Sequence, residues 1–238
     1  MGEKKEGGMT VEYRVVEKVG DIQLDENLVN DFINYLNSVH LPKTHVLSED
    51  DEESNPYFNK YIIHDSIFEG FFHNRADYEF FIKGVIHTSL FPPCENIQQE
   101  HILNSLVGSI HSFFMEYYKK FFILRVSVTI TDPESFMHYH RDLAGEHADR
   151  FLVDITHPEN EMSGIEVEDR LYKLDRFGVY KLDTTRMHRG ANYSPNHKKI
   201  SFIIQCISEL GQYLEYQRKH LEVFFDTLGQ LPPSMVEG

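Results

Sequence analysis

The chain has 238 residues, 41% hydrophobic and 26% charged, enough for one substantial domain with a buried core. A formal net charge of −15 makes nucleic acid and anionic membrane surfaces poor partners, while leaving room for a pocket of opposite sign that takes a small molecule. Two cysteines, Cys94 and Cys206, make no disulfide framework, and no run approaches the roughly 18 apolar residues of a membrane span.

The opening residues, Met1 to Gly8, are polar and lack an apolar signal core, and Glu6 stands where a myristoylation signal has Ser or Thr. A cytoplasmic protein with a loose tail over residues 1–9 is expected, followed by one domain over 10–238. Its first part, about 10–120, reads as helical. Leu28, Phe32, Ile33 and Leu36 recur at helical spacing, with Asp25 placed to cap them. Ser48 to Pro56 is an acidic loop. A long helix is expected from Asn96 to about Lys120, with Ile97, Ile102, Leu103, Leu106, Ile110, Phe113, Phe114 and Tyr117 close to one stripe.

From about residue 121 to 208 the texture changes. Phe121 to Ile130 is rich in β-branched and aromatic residues. Further strand-like runs cover Arg150–Ile155, Gly164–Glu168, Arg170–Leu174, Phe177–Asp183 and Lys199–Ile207. Short strands at near-regular spacing indicate an antiparallel sandwich or barrel. Cys206 falls inside the last apolar run, as a buried free thiol. A closing amphipathic helix is expected over about 209–228. The class is α+β: helices, a β core, then a helix.

Within the β core stands His138-Tyr139-His140-Arg141-Asp142. On an extended chain, His140 and Asp142 at i and i+2 share a face and reach one ion without strain. His188 follows 48 positions after His140, in Asp183-Thr-Thr-Arg-Met-His-Arg-Gly-Ala-Asn192. Two imidazoles and one carboxylate are the set that holds non-haem Fe(II) and leaves positions open for a co-substrate and dioxygen. His138 shares the face of His140. His147, His157 and His197 fall in loops, where exposure is the expectation.

The segment from about Leu124 to Ile207 resembles the double-stranded β-helix (jelly-roll, cupin-like) core of Fe(II)/2-oxoglutarate-dependent oxygenases. Within that superfamily it is most similar to the aspartyl/asparaginyl β-hydroxylase and free-proline hydroxylase group. The motifs that carry the resemblance are His140-x-Asp142, the distal His188, a basic residue roughly ten positions on, and His188-x-x-x-Asn192-x-Ser194. The resemblance implies Fe(II), 2-oxoglutarate and O2, with His140, Asp142 and His188 as metal ligands. It implies a cation for the co-substrate carboxylate at Lys198 or Lys199, where relatives carry Arg. Alternation groups Lys199 with Ser201 and favours that pair. Lysine meets a carboxylate as a point charge, without the fork of Arg. Asp142 favours hydroxylation, since halogenating relatives have a small residue there.

Arg150, Arg125, Ser127 and Asn192 are further candidates for binding substrate or co-substrate, and Arg189 flanks the distal histidine. The resemblance implies an amino acid or amino-acid derivative as substrate. Two other readings use the same residues. One is a cupin-like metal-binding barrel without 2-oxoglutarate turnover. The other is a zinc hydrolase, for which Glu146 is the candidate base.

Overall fold

The computed structural model describes residues 15–41, 58–66, 89–117, 122–142 and 148–207. It also describes positions 76, 78, 79, 209, 211, 214, 215, 218, 219 and 222. The tail over 1–9, the acidic loop and Glu146 lie outside these residues. So does most of the closing helix, although Gly211, Leu214, Glu215, Arg218, Lys219 and Glu222 within it are helical.

Eleven strands form two sheets among the described residues. In chain order they are β1 (Val16–Asp21), β2 (Phe58–Asp65), β3 (Ser89–Leu90), β4 (Phe122–Thr131), β5 (Ser135–Phe136), β6 (Asp149–Asp154), β7 (Ser163–Val167), β8 (Arg170–Tyr172), β9 (Gly178–Leu182), β10 (His188–Asn192) and β11 (Lys199–Ile207). The larger sheet has the order β1-β9-β6-β11-β4-β2-β3, and the smaller β5-β10-β7-β8. All pairs are antiparallel except β2 with β3.

Helix α1 (Glu26–Ser38) starts where the sequence indicates, with the Asp25 carboxylate accepting from the Asn27 amide at 2.8 Å. Helix α2 (Ile97–Tyr117) buries Ile102, Leu106, Ile110 and Phe114, one residue per turn, while Ile97 on its first turn is exposed. Residues 10–120 are not helical throughout. They also supply β1, β2 and β3, and β1 and β2 pair with β9 and β4. Without them, β9 and β4 would present bare edges of unpaired backbone groups.

The two faces of the larger sheet differ in chemistry, and that difference places the site. One face is apolar. Val126, Val128 and Ile130 of β4, Phe202 and Ile204 of β11, and Phe151 and Val153 of β6 pack under the two helices. The Phe32 ring lies 5.7 Å from Phe202, and Phe114 lies 4.9 Å from Phe151. The other face carries polar residues at alternate positions. Lys60, Thr129, Ser201 and Asp154 form one row across β2, β4, β11 and β6, and Arg125, Gln205 and Arg150 form another. Most of these side chains are buried. The smaller sheet covers this face, joined by a cluster in which Leu152, Leu182 and Ile203 meet Ile165, Val167 and Tyr172. A buried polar face is costly unless its groups are paired or bind something.

No helix among the described residues is long and apolar enough to cross a membrane.

Candidate metal centre

His140, Asp142 and His188 converge, with one donor atom of each within 4.8 Å of the others. The His140 and His188 backbones exchange both hydrogen bonds, at 3.0 and 2.9 Å, as an isolated bridge at the end of β10. The Asp142 amide donates to the Thr184 carbonyl at 3.0 Å. His140 and Asp142 therefore sit on extended but irregular backbone rather than on a regular strand. His188 opens β10, a strand the sequence hides. His188-Arg-Gly-Ala-Asn192 has no β-branched residue, and its pairing with β7 and β5 supplies what local preference does not.

The two imidazoles are oriented by the same device. His140 Nδ1 lies 2.9 Å from the His138 carbonyl, and His188 Nδ1 lies 2.9 Å from the Arg186 carbonyl. A carbonyl can only accept, so each Nδ1 carries the proton and each Nε2 keeps its lone pair. His140 Nε2 is 3.9 Å from Asp142 Oδ1, and His188 Nε2 is 3.5 Å from Asp142 Oδ2. Donors about 2.1 Å from a shared ion stand no more than about 4.2 Å apart, and both separations fall inside that limit.

The protonation states also suit a cation. Burial, then the neighbouring His188, lowers His140 from 6.5 to about 4, so its ring is neutral at neutral pH. Burial alone would raise Asp142, but the Arg150 guanidinium and the His188 ring outweigh it and hold the carboxyl well below the usual range. A neutral imidazole at His140 and an ionised carboxylate at Asp142 are ligand forms that a metal requires.

A second set of contacts fixes these positions from behind. Tyr139 precedes one histidine and Arg189 follows the other, and both bind Glu166 of β7. Glu166 Oε2 accepts from Tyr139 Oη at 2.9 Å and Arg189 Nε at 2.6 Å, while Oε1 accepts from Tyr193 Oη at 2.5 Å. The Arg189 guanidinium lies 4.3 Å over the Phe136 ring and 4.4 Å over the Tyr139 ring.

The polar face of the larger sheet carries the other candidates. Lys199 is buried there, and its Nζ stands 3.7 Å from where a Cβ on Gly190 would lie. The ammonium thus reaches the β10 backbone two residues from His188. Beside it, Ser201 Oγ donates to Asp154 Oδ2 at 3.4 Å, and Asp154 Oδ1 accepts the Thr156 amide at 2.7 Å. Burial pushes Asp154 up and Lys199 down, drawing the pair towards its neutral form. Lys198 points the other way, half exposed, with its Nζ 3.4 Å from Asp132 Oδ1.

The remaining residues singled out from the sequence divide between two jobs. Arg150 Nη1 contacts Asp142 Oδ2 at 2.5 Å, and Arg125 Nε contacts Asp65 Oδ2 at 2.6 Å, both within the interior. Ser127 is buried on the same face, opposite Ile203. Asn192 is a loop staple. Its Nδ2 lies within bonding distance of the Thr131, Asp132 and His197 carbonyls, and its Oδ1 accepts from Asn160. Three residues escaped the sequence reading. Lys60 of β2 lies within electrostatic reach of Asp142, Arg150 and His140, and burial followed by the Arg150 charge pushes its ammonium down to about 7. Asp154 was legible through alternation, since it shares the face of Arg150. Glu166 carried no signal beyond its place on a strand.

No protein-family model matches the chain, and no curated protein does. Among solved structures, the viral collagen prolyl hydroxylase vCPH from Paramecium Bursaria Chlorella virus-1, in a 2OG complex, aligns at TM-score 0.45 and 12% identity. The match covers 83% of this chain and 98% of that one. HygX from Streptomyces hygroscopicus, with nickel and 2-oxoglutarate bound, aligns at TM-score 0.47 and 7% identity, over 82% of this chain and 84% of that one. AviO1 from Streptomyces viridochromogenes Tue57 aligns at TM-score 0.48 and 8% identity, over 82% and 90%. At such identities the side chains of the site are the ground on which function is argued.

Proposed function

We propose that the chain is an Fe(II)- and 2-oxoglutarate-dependent oxygenase with a double-stranded β-helix core. It hydroxylates an unactivated C–H bond of an amino acid or amino-acid derivative. The observation that carries this reading is the convergence of His140, Asp142 and His188, each imidazole held by its Nδ1, on a fold that also buries Lys199 on a polar sheet face. Two imidazoles and a carboxylate leave an ion room for a chelating co-substrate and dioxygen. A plain metal-binding barrel has no use for a buried lysine whose Nζ reaches the backbone beside Gly190.

When bound, the iron centre supplies the oxidising power, and the overall conversion takes substrate, 2-oxoglutarate and O2 to hydroxylated product, succinate and CO2. The chain's own task is placement. His140, Asp142 and His188 hold the ion. Arg150 keeps Asp142 deprotonated and fixes its carboxylate. Lys199, with Ser201 as a second donor, meets the distal carboxylate of 2-oxoglutarate. Lys198 is spent on Asp132 at the surface. An incoming carboxylate favours the ammonium form of Lys199, and a proton on Asp154 leaves that charge to the co-substrate. Lys60 brings a further basic group near Asp142, suited to a substrate carboxylate.

The test is succinate formation from 2-oxoglutarate by protein loaded with Fe(II) without air and then exposed to it, across a panel of amino acids, beside a His188→Ala control. Turnover should rise with one class of amino acid and vanish in the control. Absence of turnover, together with no change in absorbance when 2-oxoglutarate is added to the Fe(II)-loaded protein, would sink the assignment.

A further inference from the structure

Among the described residues, the structure twice brings a His-x-carboxylate pair together with a distant His. The second occurrence is His157-Pro-Glu159 in the β6–β7 connection, with His197 in the β10–β11 connection. One donor atom from each lies within 4.8 Å of the others. We propose that His157, Glu159 and His197 form a second metal site, for a divalent transition ion such as zinc. It lies past Asn192, at the end of β10 opposite His188, about 15 Å along a five-residue strand from the first cluster.

The two connections are held together on either side of the histidines. Thr156 Oγ1 accepts the Ile200 amide at 3.0 Å and donates to the Ile200 carbonyl at 3.2 Å. Asn160 Nδ2 donates to Asn192 Oδ1 at 3.1 Å and to the His197 carbonyl at 3.3 Å, and Asn192 Nδ2 reaches the same carbonyl at 2.9 Å. The Asn160 amide closes the turn onto the His157 carbonyl at 2.9 Å. The ligand-bearing positions are therefore set before any ion arrives, which lowers the entropy cost of binding.

The side chains are poised but not closed. The imidazoles stack at 4.7 Å between centroids with their planes 3° apart, and His197 Nε2 is 3.6 Å from Glu159 Oε2. Parallel rings send their lone pairs along parallel lines. A modest turn about χ2, a broad torsion in histidine, brings them to one point. The contact from the Glu159 amide to His157 Nδ1 is long, 3.3 Å, and is given up readily. Two imidazoles and a carboxylate, with water completing the shell, match zinc. His157 and Glu159 are exposed, so an ion enters from solvent. It would tie the connection leaving β6 to the one that leads into Lys199 and β11.

The experiment is a zinc titration of the full chain against a chromophoric chelator, at micromolar free zinc. Wild type is compared with His197→Ala, His157→Ala and His188→Ala. The two surface variants should each bind one equivalent fewer than wild type, while His188→Ala loses a different equivalent. Unchanged stoichiometry in either His197→Ala or His157→Ala overturns the second site, whatever His188→Ala does. A defect confined to His188→Ala therefore overturns it too.

Discussion

Arg150 Nη1 lies 2.5 Å from Asp142 Oδ2, so a candidate for binding substrate or co-substrate also holds a carboxylate of the His–Asp–His cluster. The pair keeps 10% and 16% of its side-chain surfaces exposed. Breaking a buried pair from one side costs about 3 to 5 kcal/mol, and this residual exposure puts Arg150→Met near the lower figure. We expect urea unfolding of the metal-free variant to show a loss of about 3 kcal/mol. Fe(II) affinity should fall with it, because Asp142 then takes up a proton more readily. Arg150→Lys should recover part of both. Wild-type stability and wild-type affinity in Arg150→Met would mean that the contact is incidental.

Lys198 and Lys199 are neighbours in sequence and opposites in space, one paired with Asp132 at the surface and one buried beside Ser201 and Asp154. A hydrogen bond to a charged group contributes about 1.5 to 3 kcal/mol, so Lys199→Met should raise the KM for 2-oxoglutarate at least about tenfold. Lys198→Met should leave it where it was. Steady-state succinate assays on the two variants decide the matter, and equal effects would remove Lys199 from its assigned role.

The β core was legible because β4, β6 and β11 combine β-branched composition with strict alternation, and alternation alone separates Lys199 from Lys198. The first part of the chain was read as helical. What that missed was β2, whose register against β4 sets Lys60 opposite Thr129 on the polar face. Neither relation leaves a trace in local propensity, since a strand added to a sheet edge is specified by its partner. β10 was missed for the same reason, with Gly190 at its centre and pairing on both sides. The grouping of His140, Asp142 and His188 was legible from residue type and spacing. The jobs of Arg150 and Asn192 were not, because an arginine paired internally and one facing a ligand look alike in a sequence.

Glu166 touches no member of the cluster, yet it binds the residue before His140 and the residue after His188. Removing it takes a shared acceptor from Tyr139, Arg189 and Tyr193 together. Glu166→Ala should weaken Fe(II) binding about tenfold, in the range seen when residues supporting metal ligands are lost. Leaving donors unsatisfied should also cost about 2 kcal/mol in stability. Glu166→Gln keeps an acceptor and should recover much of the metal affinity, which a mere loss of fold would not predict. Chelator competition with Fe(II) reads the effect, and wild-type affinity in Glu166→Ala would dismiss the clamp.

Two histidines make the metal-free protein sensitive to mild acid. His140 is lowered from 6.5 to about 4, chiefly by burial. His111 is lowered by burial and by His64, whose ring lies 5.3 Å away. The unfolded chain takes up these protons near pH 6.5, while the folded chain resists them to lower pH. Stability is therefore fully present above about 6.5 and is lost progressively as pH falls from there towards about 4. The Tm of the metal-free protein should be flat above neutrality and drop through that window. His111→Gln should make the drop shallower, because one of the two proton uptakes is gone. Bound metal should steepen it, since protons then compete with the ion for His140. A Tm that stays level across the window would contradict the neutral, buried state assigned to both rings.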